Sequence, residues 1–112
     1  MAASISACSS TGCWSETGNP LYASLGPYPS FETTYVNGIN TTVTGVVFMV
    51  VHNSLGETVE ISTCVLQLAS GANGTAYTIT FGLASGEYSA TFFAVSTSGY
   101  AISSTTTAPF TV

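Results

Sequence analysis

Short runs of alternating apolar and polar residues, separated by turn sequences, make up residues 31–112. Alternation with a period of two places successive side chains on opposite faces of a strand. Short strands at regular spacing are typical of an antiparallel β-sandwich. The pattern predicts six strands, at 31–36, 42–52, 57–68, 75–83, 87–97 and 100–112. No window has a sustained helical period, so no helix is predicted.

Local signals refine three of these strands. Asn37-Gly38 predicts a turn at the end of the first strand. Apolar residues fall on both faces of 57–68, which predicts a bulge or a change of sheet near Thr63. Pro109 argues that the last strand lies at an edge or is interrupted, because proline cannot donate a ladder hydrogen bond.

The second strand is apolar on both faces over residues 46–51, which is expected of a strand covered on both sides. An immunoglobulin-type sandwich has seven strands, one more than the six predicted here. The seventh strand comes either from residues 2–7 or from the region of Trp14, folded back within one chain. Alternatively, the N-terminal segment enters a neighbouring subunit and completes the sandwich there.

The chain divides into an N-terminal extension (1–20), a proline-containing linker (21–30) and a β-sandwich body (31–112). We adopt the intermolecular alternative, with residues 1–20 as a donor strand. The predicted donor side chains alternate with serines and are those of Ala3, Ile5 and Ala7. The predicted acceptor groove is lined by one face of the second strand, at Val47, Met49 and Val51.

Charge is nearly absent from this chain, which has no Lys or Arg, five Glu, one His and no Asp. Without basic side chains the chain cannot neutralise phosphates, so nucleic-acid binding is excluded. Ser and Thr make up nearly a third of the residues. A neutral surface of this kind changes little in acid, because no Lys or Arg ion pair is lost when the glutamates are protonated. This composition favours a harsh, acidic, extracellular setting.

Membrane insertion and targeting leave no signal in the sequence. No apolar stretch approaches the about 18 residues of a transmembrane helix, so a transmembrane segment is excluded. Residues 1–4 lack a basic region and no 7–15-residue apolar run follows, so no signal peptide is predicted.

Three cysteines, Cys8, Cys13 and Cys64, fit an oxidising compartment better than a metal site, since zinc requires four ligands in paired spacing. The spacing of Cys8 and Cys13 favours a short loop closed by a local disulfide, with Cys64 a buried free thiol. A bridge from either of them to Cys64, or an intermolecular disulfide, remains open.

Two sequons, at Asn40 and Asn73, predict N-linked glycans in turns. Such glycans would supply the solubility that charge does not provide.

Candidate catalytic residues are scarce. His52 is the only histidine, and the absence of Asp excludes a Ser-His-Asp triad. Glu57 and Glu60 fall on opposite faces of one strand, so they are not an evident acid/base pair. The sequence predicts no enzyme, cofactor or metal.

Residues 85–95 and the closing segment 105–112 resemble the last two strands of immunoglobulin-like and fibronectin-type-III-like domains. Tyr88 occupies the place of a tyrosine corner, whose hydroxyl bonds back to nearby backbone. The lysine-free, Ser/Thr-rich composition resembles that of the secreted thread filaments of thermoacidophilic archaea. That resemblance implies glycosylated immunoglobulin-like subunits, joined head to tail by donor-strand complementation. The expectation is therefore a structural subunit of an extracellular, cell-surface filament. The alternative is a monomeric adhesion or binding module on a cell or virion surface.

Overall fold

A computed structural model describes residues 13–17, 20–25 and 28–112 of this chain. These residues form eight strands and no helix. The strands are β1 (Trp14–Glu16), β2 (Leu21–Leu25), β3 (Tyr28–Asn37), β4 (Val43–Asn53), β5 (Thr58–Leu68), β6 (Asn73–Ile79), β7 (Glu87–Ser96) and β8 (Thr106–Thr111). They make two antiparallel sheets packed as a sandwich, which confirms the predicted all-β class.

The first sheet is centred on β3. Strand β6 pairs with β3 from Ser30 to Val36. Strand β1 pairs with the C-terminal part of β3, with Glu16 opposite Tyr35, and β2 pairs with its N-terminal part, with Leu21 opposite Glu32. Since a strand has only two edges, β1 and β2 lie end to end along the edge of β3 that β6 leaves open.

The second sheet has the order β5-β4-β7-β8. Its edges are therefore β5 and β8, and Pro109 lies in the edge strand β8, opposite Ser89. When β1 and β2 are counted as one interrupted strand, the two sheets contain seven strand positions. This is the strand number of an immunoglobulin-like sandwich.

Residues 21–30 are not a linker in this structure, because they contain β2 and the beginning of β3. Proline disfavours helix and favours extended backbone, and that geometry suits a strand as well as a linker. Pro29 is buried, and its carbonyl accepts hydrogen bonds from the Thr80 backbone NH and hydroxyl, both at 2.9 Å. Together with β1, these residues supply the seventh strand position from the same chain.

Three local predictions differ from the structure. The register shift in the β4–β5 pair lies between Val51 and His52, whereas Thr63 pairs regularly with Phe48. Strand β8 begins at Thr106, because the buried side chains of Ile102 and Ser103 turn the preceding segment into the core. The chain crosses between sheets after Asn37, so the Asn37-Gly38 turn does not close a hairpin.

Two apolar clusters fill the space between the sheets. One surrounds Trp14 and Tyr35, and the other surrounds Phe31 and Phe92. Gly45 of β4 lies under the Trp14 ring, where an added Cβ would stand 2.8 Å from the ring and 2.9 Å from Ile102 Cδ1. Glycine is therefore required there by space, since β4 has to approach the indole closely.

Candidate assembly surfaces

The predicted acceptor residues Val47, Met49 and Val51 are completely buried between the two sheets. Val47 belongs to the cluster around Trp14, and Met49 and Val51 belong to the cluster around Phe31. These three side chains do not line an open groove, because the first sheet of the same chain covers them. A donor strand inserted at this position would have to displace part of that sheet.

The predicted donor side chains, Ala3, Ile5 and Ala7, lie outside the described residues, and so does Cys8. The disulfide between Cys8 and Cys13 therefore stays a prediction. Cys13 is buried in the cluster around Trp14. Cys64 is partly buried on the inner side of β5 and forms no disulfide with the other described cysteine.

The free edge of β5 is the longest uninterrupted strand edge of the second sheet. The strand has 11 residues, contains no proline or lysine, and pairs only with β4 among the described strands. By contrast, the other edge strand, β8, has six residues and is interrupted by Pro109. Natural edge strands are usually shortened, charged or broken by proline, because a long apolar edge is a template for another strand. Strand β5 has two such protections, Glu60 and the irregularity at Val59, and both lie within its first three residues.

The outer side of the second sheet carries a continuous apolar surface, here called the apolar face. Side chains alternate along β4, so the residues next to the buried Val47 and Met49 point outward. The apolar face consists of Val46, Phe48, Val50, Ile61, Val65, Phe93 and Val95. Phe48 and Phe93 are neighbours on β4 and β7, and their rings stack with centroids 5.3 Å apart and planes 8° apart.

Exposure on the apolar face is greatest along β5, where Ile61 is 58% and Val65 is 65% exposed. The residues of β4 and β7 are half-buried, because neighbouring side chains on the sheet partly cover one another. Isolated exposed apolar residues are normal, but a contiguous apolar patch marks an interaction site. The apolar run at 46–51 predicted that something covers its second face, and no described residue of this chain does so.

All five carboxylates lie away from the centre of the apolar face. On the second sheet, Glu60 points to the inner side, where it accepts a hydrogen bond from the Phe81 backbone NH at 2.9 Å. Glu57 accepts a hydrogen bond from Asn53 in the turn between β4 and β5, and Glu87 begins β7 at one end of the sheet. The glutamates at positions 16 and 32 belong to the first sheet.

The outer side of the first sheet is more polar. Glu32 stands between Leu21 and Tyr77, and the next outward pair joins the hydroxyls of Thr34 and Thr75 at 2.9 Å. Leu21 and Tyr77 are 65% and 66% exposed, as much as the β5 residues of the apolar face. They flank a carboxylate, however, and so do not form a comparable apolar surface.

The surroundings of Glu16 shift the pKa of its carboxyl group. Its Oε1 accepts a hydrogen bond from the Thr106 hydroxyl at 2.9 Å, which joins β1 to β8 across the sandwich. Burial raises the pKa of Glu16 above its ordinary value, and the Thr106 hydrogen bond opposes this effect. Burial, together with the nearby Glu16 carboxylate, raises the pKa of Tyr35 to about 12, against a hydrogen bond with Ser103 that lowers it.

Glu16 and Tyr35 do not form an evident catalytic site. Glu16 Oε2 and Trp14 Nε1 are buried without a hydrogen-bond partner among the described residues. A single carboxylate beside a phenol that stays protonated offers no second group to share acid/base work. Elsewhere in the described residues, no three His, Cys, Asp or Glu side chains are placed to hold a metal ion. His52 lies near the end of β4, at the register shift.

Both sequon asparagines are exposed. Asn40 lies in the bend between β3 and β4, and Asn73 is the first residue of β6 rather than part of the turn before it. Each side chain is therefore accessible to a glycosyltransferase, which a surface glycan requires. Neither asparagine lies on the apolar face.

Tyr88 begins the pairing of β7 with β4 and closes the loop before it. Its hydroxyl donates a hydrogen bond to the Ala84 carbonyl at 2.7 Å, and its ring stacks on Phe110 with centroids 5.6 Å apart. One side chain thus ties the 84–86 turn to the edge strand β8.

Comparison with known proteins identifies no family for this chain. No protein family and no curated protein matches this chain. Among the described residues, no helix is both long and apolar enough to cross a membrane.

Proposed function

We propose that this protein is a structural subunit of an extracellular filament built from copies of itself. The free edge of β5 carries this proposal, because it is long, regularly paired with β4 from Glu60 to Leu68, and almost without charge. Such an edge accepts an added strand through main-chain hydrogen bonds, as in other cases of β-strand addition.

The strand that adds to β5 is the N-terminal segment of the next copy. Ala3, Ile5 and Ala7 alternate with small polar residues, which suits a strand with one face toward a sheet. Donor and acceptor are different surfaces of the same chain, so the contact is heterologous. A heterologous contact that does not close into a ring produces an open fibre. The acceptor is thus the edge of β5 rather than a groove at Val47, Met49 and Val51.

Composition supports an extracellular setting for this filament. The chain has no Lys or Arg, and most of its polar side chains carry hydroxyl or amide groups, which acid leaves unchanged. N-linked glycans at the exposed Asn40 and Asn73 would keep such a neutral surface hydrated. The partners proposed for this chain are other copies of itself, in a homopolymer, and N-linked glycans. The proposal involves no nucleic acid and no cofactor.

A charge on the β5 edge tests the proposal. Ser62→Lys places an ammonium on the inner side of β5, a device by which natural edge strands prevent strand addition. Ala108→Lys is the matched control, because Ala108 is also partly buried on the inner side, on the other edge strand of the sheet. Negative-stain electron microscopy of the full chain should show filaments for wild type and for Ala108→Lys, and none or only short ones for Ser62→Lys. Long filaments from Ser62→Lys would refute strand addition at β5.

A second candidate is a monomeric adhesion or binding module of a cell or virion surface. The observation that favours it is the pairing of β1 and β2 with β3 of the same chain, which fills the seventh strand position internally. Light scattering separates the two candidates. A mass that stays at one subunit over a wide concentration range supports the module, whereas growth with concentration supports the filament.

A further inference from the structure

We propose that the apolar face is the contact surface for the same face of a second copy of this chain, with the two copies related by a two-fold axis. This contact uses the outer side of the second sheet, whereas strand addition uses the edge of β5. The inference depends on the filament proposal only for its setting, in which it joins two filaments side by side.

The apolar face has the composition of a covered surface. Its central rows run Val65–Val46–Val95 and Thr63–Phe48–Phe93 across β5, β4 and β7. A strand that is apolar on both sides is normally covered on both sides, and β4 has its inner side alone covered by described residues. The largest apolar patch on a monomer is often an interaction site.

The size of the apolar face indicates how strong the contact between two copies should be. The apolar face covers about five residues along each of three strands that lie about 4.8 Å apart, which gives roughly 250 Å² of sheet on each copy. Stable interfaces bury about 800 Å² per partner, and weaker, transient ones bury less than about 600 Å². The two-fold contact is therefore expected to be reversible and concentration-dependent.

The distribution of charge on this chain favours a second copy of itself over other partners for the apolar face. The chain has a net charge of −5, yet none of its glutamates lies at the centre of the apolar face. Two copies can therefore face each other without bringing carboxylates together. A basic partner would find no carboxylate on this face, and an acidic lipid or nucleic-acid surface would find no Lys or Arg anywhere in the chain.

The chain's own N-terminal segment does not suffice as a cover. Residues 1–12 contain only two large apolar side chains, Met1 and Ile5, against the seven of the apolar face. A second sheet of the same composition provides an equal number. Two sheets packed face to face lie about 10 Å apart and interleave their side chains, and the Phe48–Phe93 stack would then meet its own copy.

A double substitution with a matched control tests this contact. Ile61→Thr/Val65→Thr removes the two most exposed residues of the apolar face and keeps residues that favour strands. The control is Leu21→Thr/Tyr77→Thr, which changes two residues of similar exposure on the outer side of the first sheet. Far-UV circular dichroism verifies that each variant is folded. A third variant, Val65→Glu, brings two carboxylates together in the proposed dimer.

Two measurements on the full chain read out the result. Sedimentation equilibrium should give a monomer–dimer equilibrium for the unassembled wild type and the control, weakened at least tenfold in Ile61→Thr/Val65→Thr and in Val65→Glu. Electron microscopy should show paired filaments for wild type and single filaments of unchanged length for the apolar-face variants. A monomeric wild type with no paired filaments, or equal weakening by the control, would overturn the inference. If no filament forms but the dimer responds as described, the apolar-face contact stands and the filament proposal fails.

Discussion

The side-chain amide of Asn37 donates a buried hydrogen bond of 2.9 Å to the backbone carbonyl of Leu68. This bond joins the end of β3 in the first sheet to the end of β5 in the second. The same amide nitrogen donates to the Thr41 carbonyl at 2.8 Å, and Asn37 Oδ1 accepts from the Ile39 backbone NH at 3.1 Å. One fully buried side chain thus satisfies the backbone where the chain crosses between sheets.

Replacing Asn37 by Ala should destabilise the sandwich by about 2–4 kcal/mol, because the carbonyls of Leu68 and Thr41 would lose their partner in a site closed to water. Urea unfolding followed by circular dichroism measures the change. The control is Asn73→Ala, since Asn73 is exposed, and its effect should stay within about 0.5 kcal/mol in unglycosylated protein. Equal stability of the two variants would contradict the role given to Asn37.

Replacing Gly45 by Ala should cost about 1–3 kcal/mol, because the new methyl group would stand 2.8 Å from the Trp14 ring and 2.9 Å from Ile102. Trp14 is the only tryptophan, so the emission maximum of its fluorescence also reports whether the ring is displaced. Gly38→Ala is the control, since its nearest neighbour would be the Cys13 carbonyl at 3.5 Å. An unshifted emission spectrum together with wild-type stability would show that the backbone of β4 is not in close contact with the indole.

Acid should stabilise the protein through Glu16. Because burial raises the pKa of this carboxyl in the folded state, the folded chain binds the proton more tightly than the unfolded chain. The favourable contribution is complete below the unfolded pKa and is lost as the pH rises through the folded pKa. Glu16→Gln should therefore reduce the gain in unfolding free energy between pH 7 and pH 3.

Thermal or urea unfolding across this pH range, with Glu87→Gln as an exposed control, measures the difference. The Gln variant keeps an acceptor for Thr106 and differs mainly in charge. A pH profile for Glu16→Gln that superimposes on the wild-type profile would assign the acid response to other groups.

Asn40→Gln and Asn73→Gln should each lower the mass of the native glycoprotein by one glycan, because both side chains are exposed. Intact-mass spectrometry before and after glycosidase treatment measures this loss. Thr75→Ser keeps the second sequon and is expected to retain its glycan. A native mass equal to the polypeptide mass would remove glycans from the proposal and leave its strand contact intact.

The alternation of apolar and polar residues predicted the six strands β3 to β8, although β8 begins later than expected, and the all-β class, because that pattern depends only on the geometry of a strand. It missed β1 and β2. Trp14–Glu16 is too short to show a period, and Leu21–Leu25 precedes prolines that fit a linker equally well. Their place was decided by pairing along β3. Strand β1 pairs with residues distant in sequence, with Trp14 opposite Asn37, whereas β2 forms a hairpin with the start of β3.

The apolar face was foreseen in part, since the run at 46–51 is apolar on both sides. The assignment of its two sides needed the structure. Val47, Met49 and Val51 face the first sheet and are buried by their own chain, while Val46, Phe48 and Val50 face outward. Strict alternation sorts these residues into two sets but does not say which set meets the core.

Asn37 shows the same difference between what the sequence predicts and what only the fold reveals. Its position before Gly38 is a turn signal, and the sequence supports no more than that. Its partners, Thr41 and Leu68, come together because β3 and β5 end at the same corner of the sandwich.

Residue type and local spacing were enough to establish the all-β class, the lack of basic side chains and the two sequons. The tertiary structure alone decided which chain supplies the first edge strand, which side of β4 is left open, and which carboxylate is buried. These depend on contacts between segments distant in sequence, and such contacts leave no local pattern.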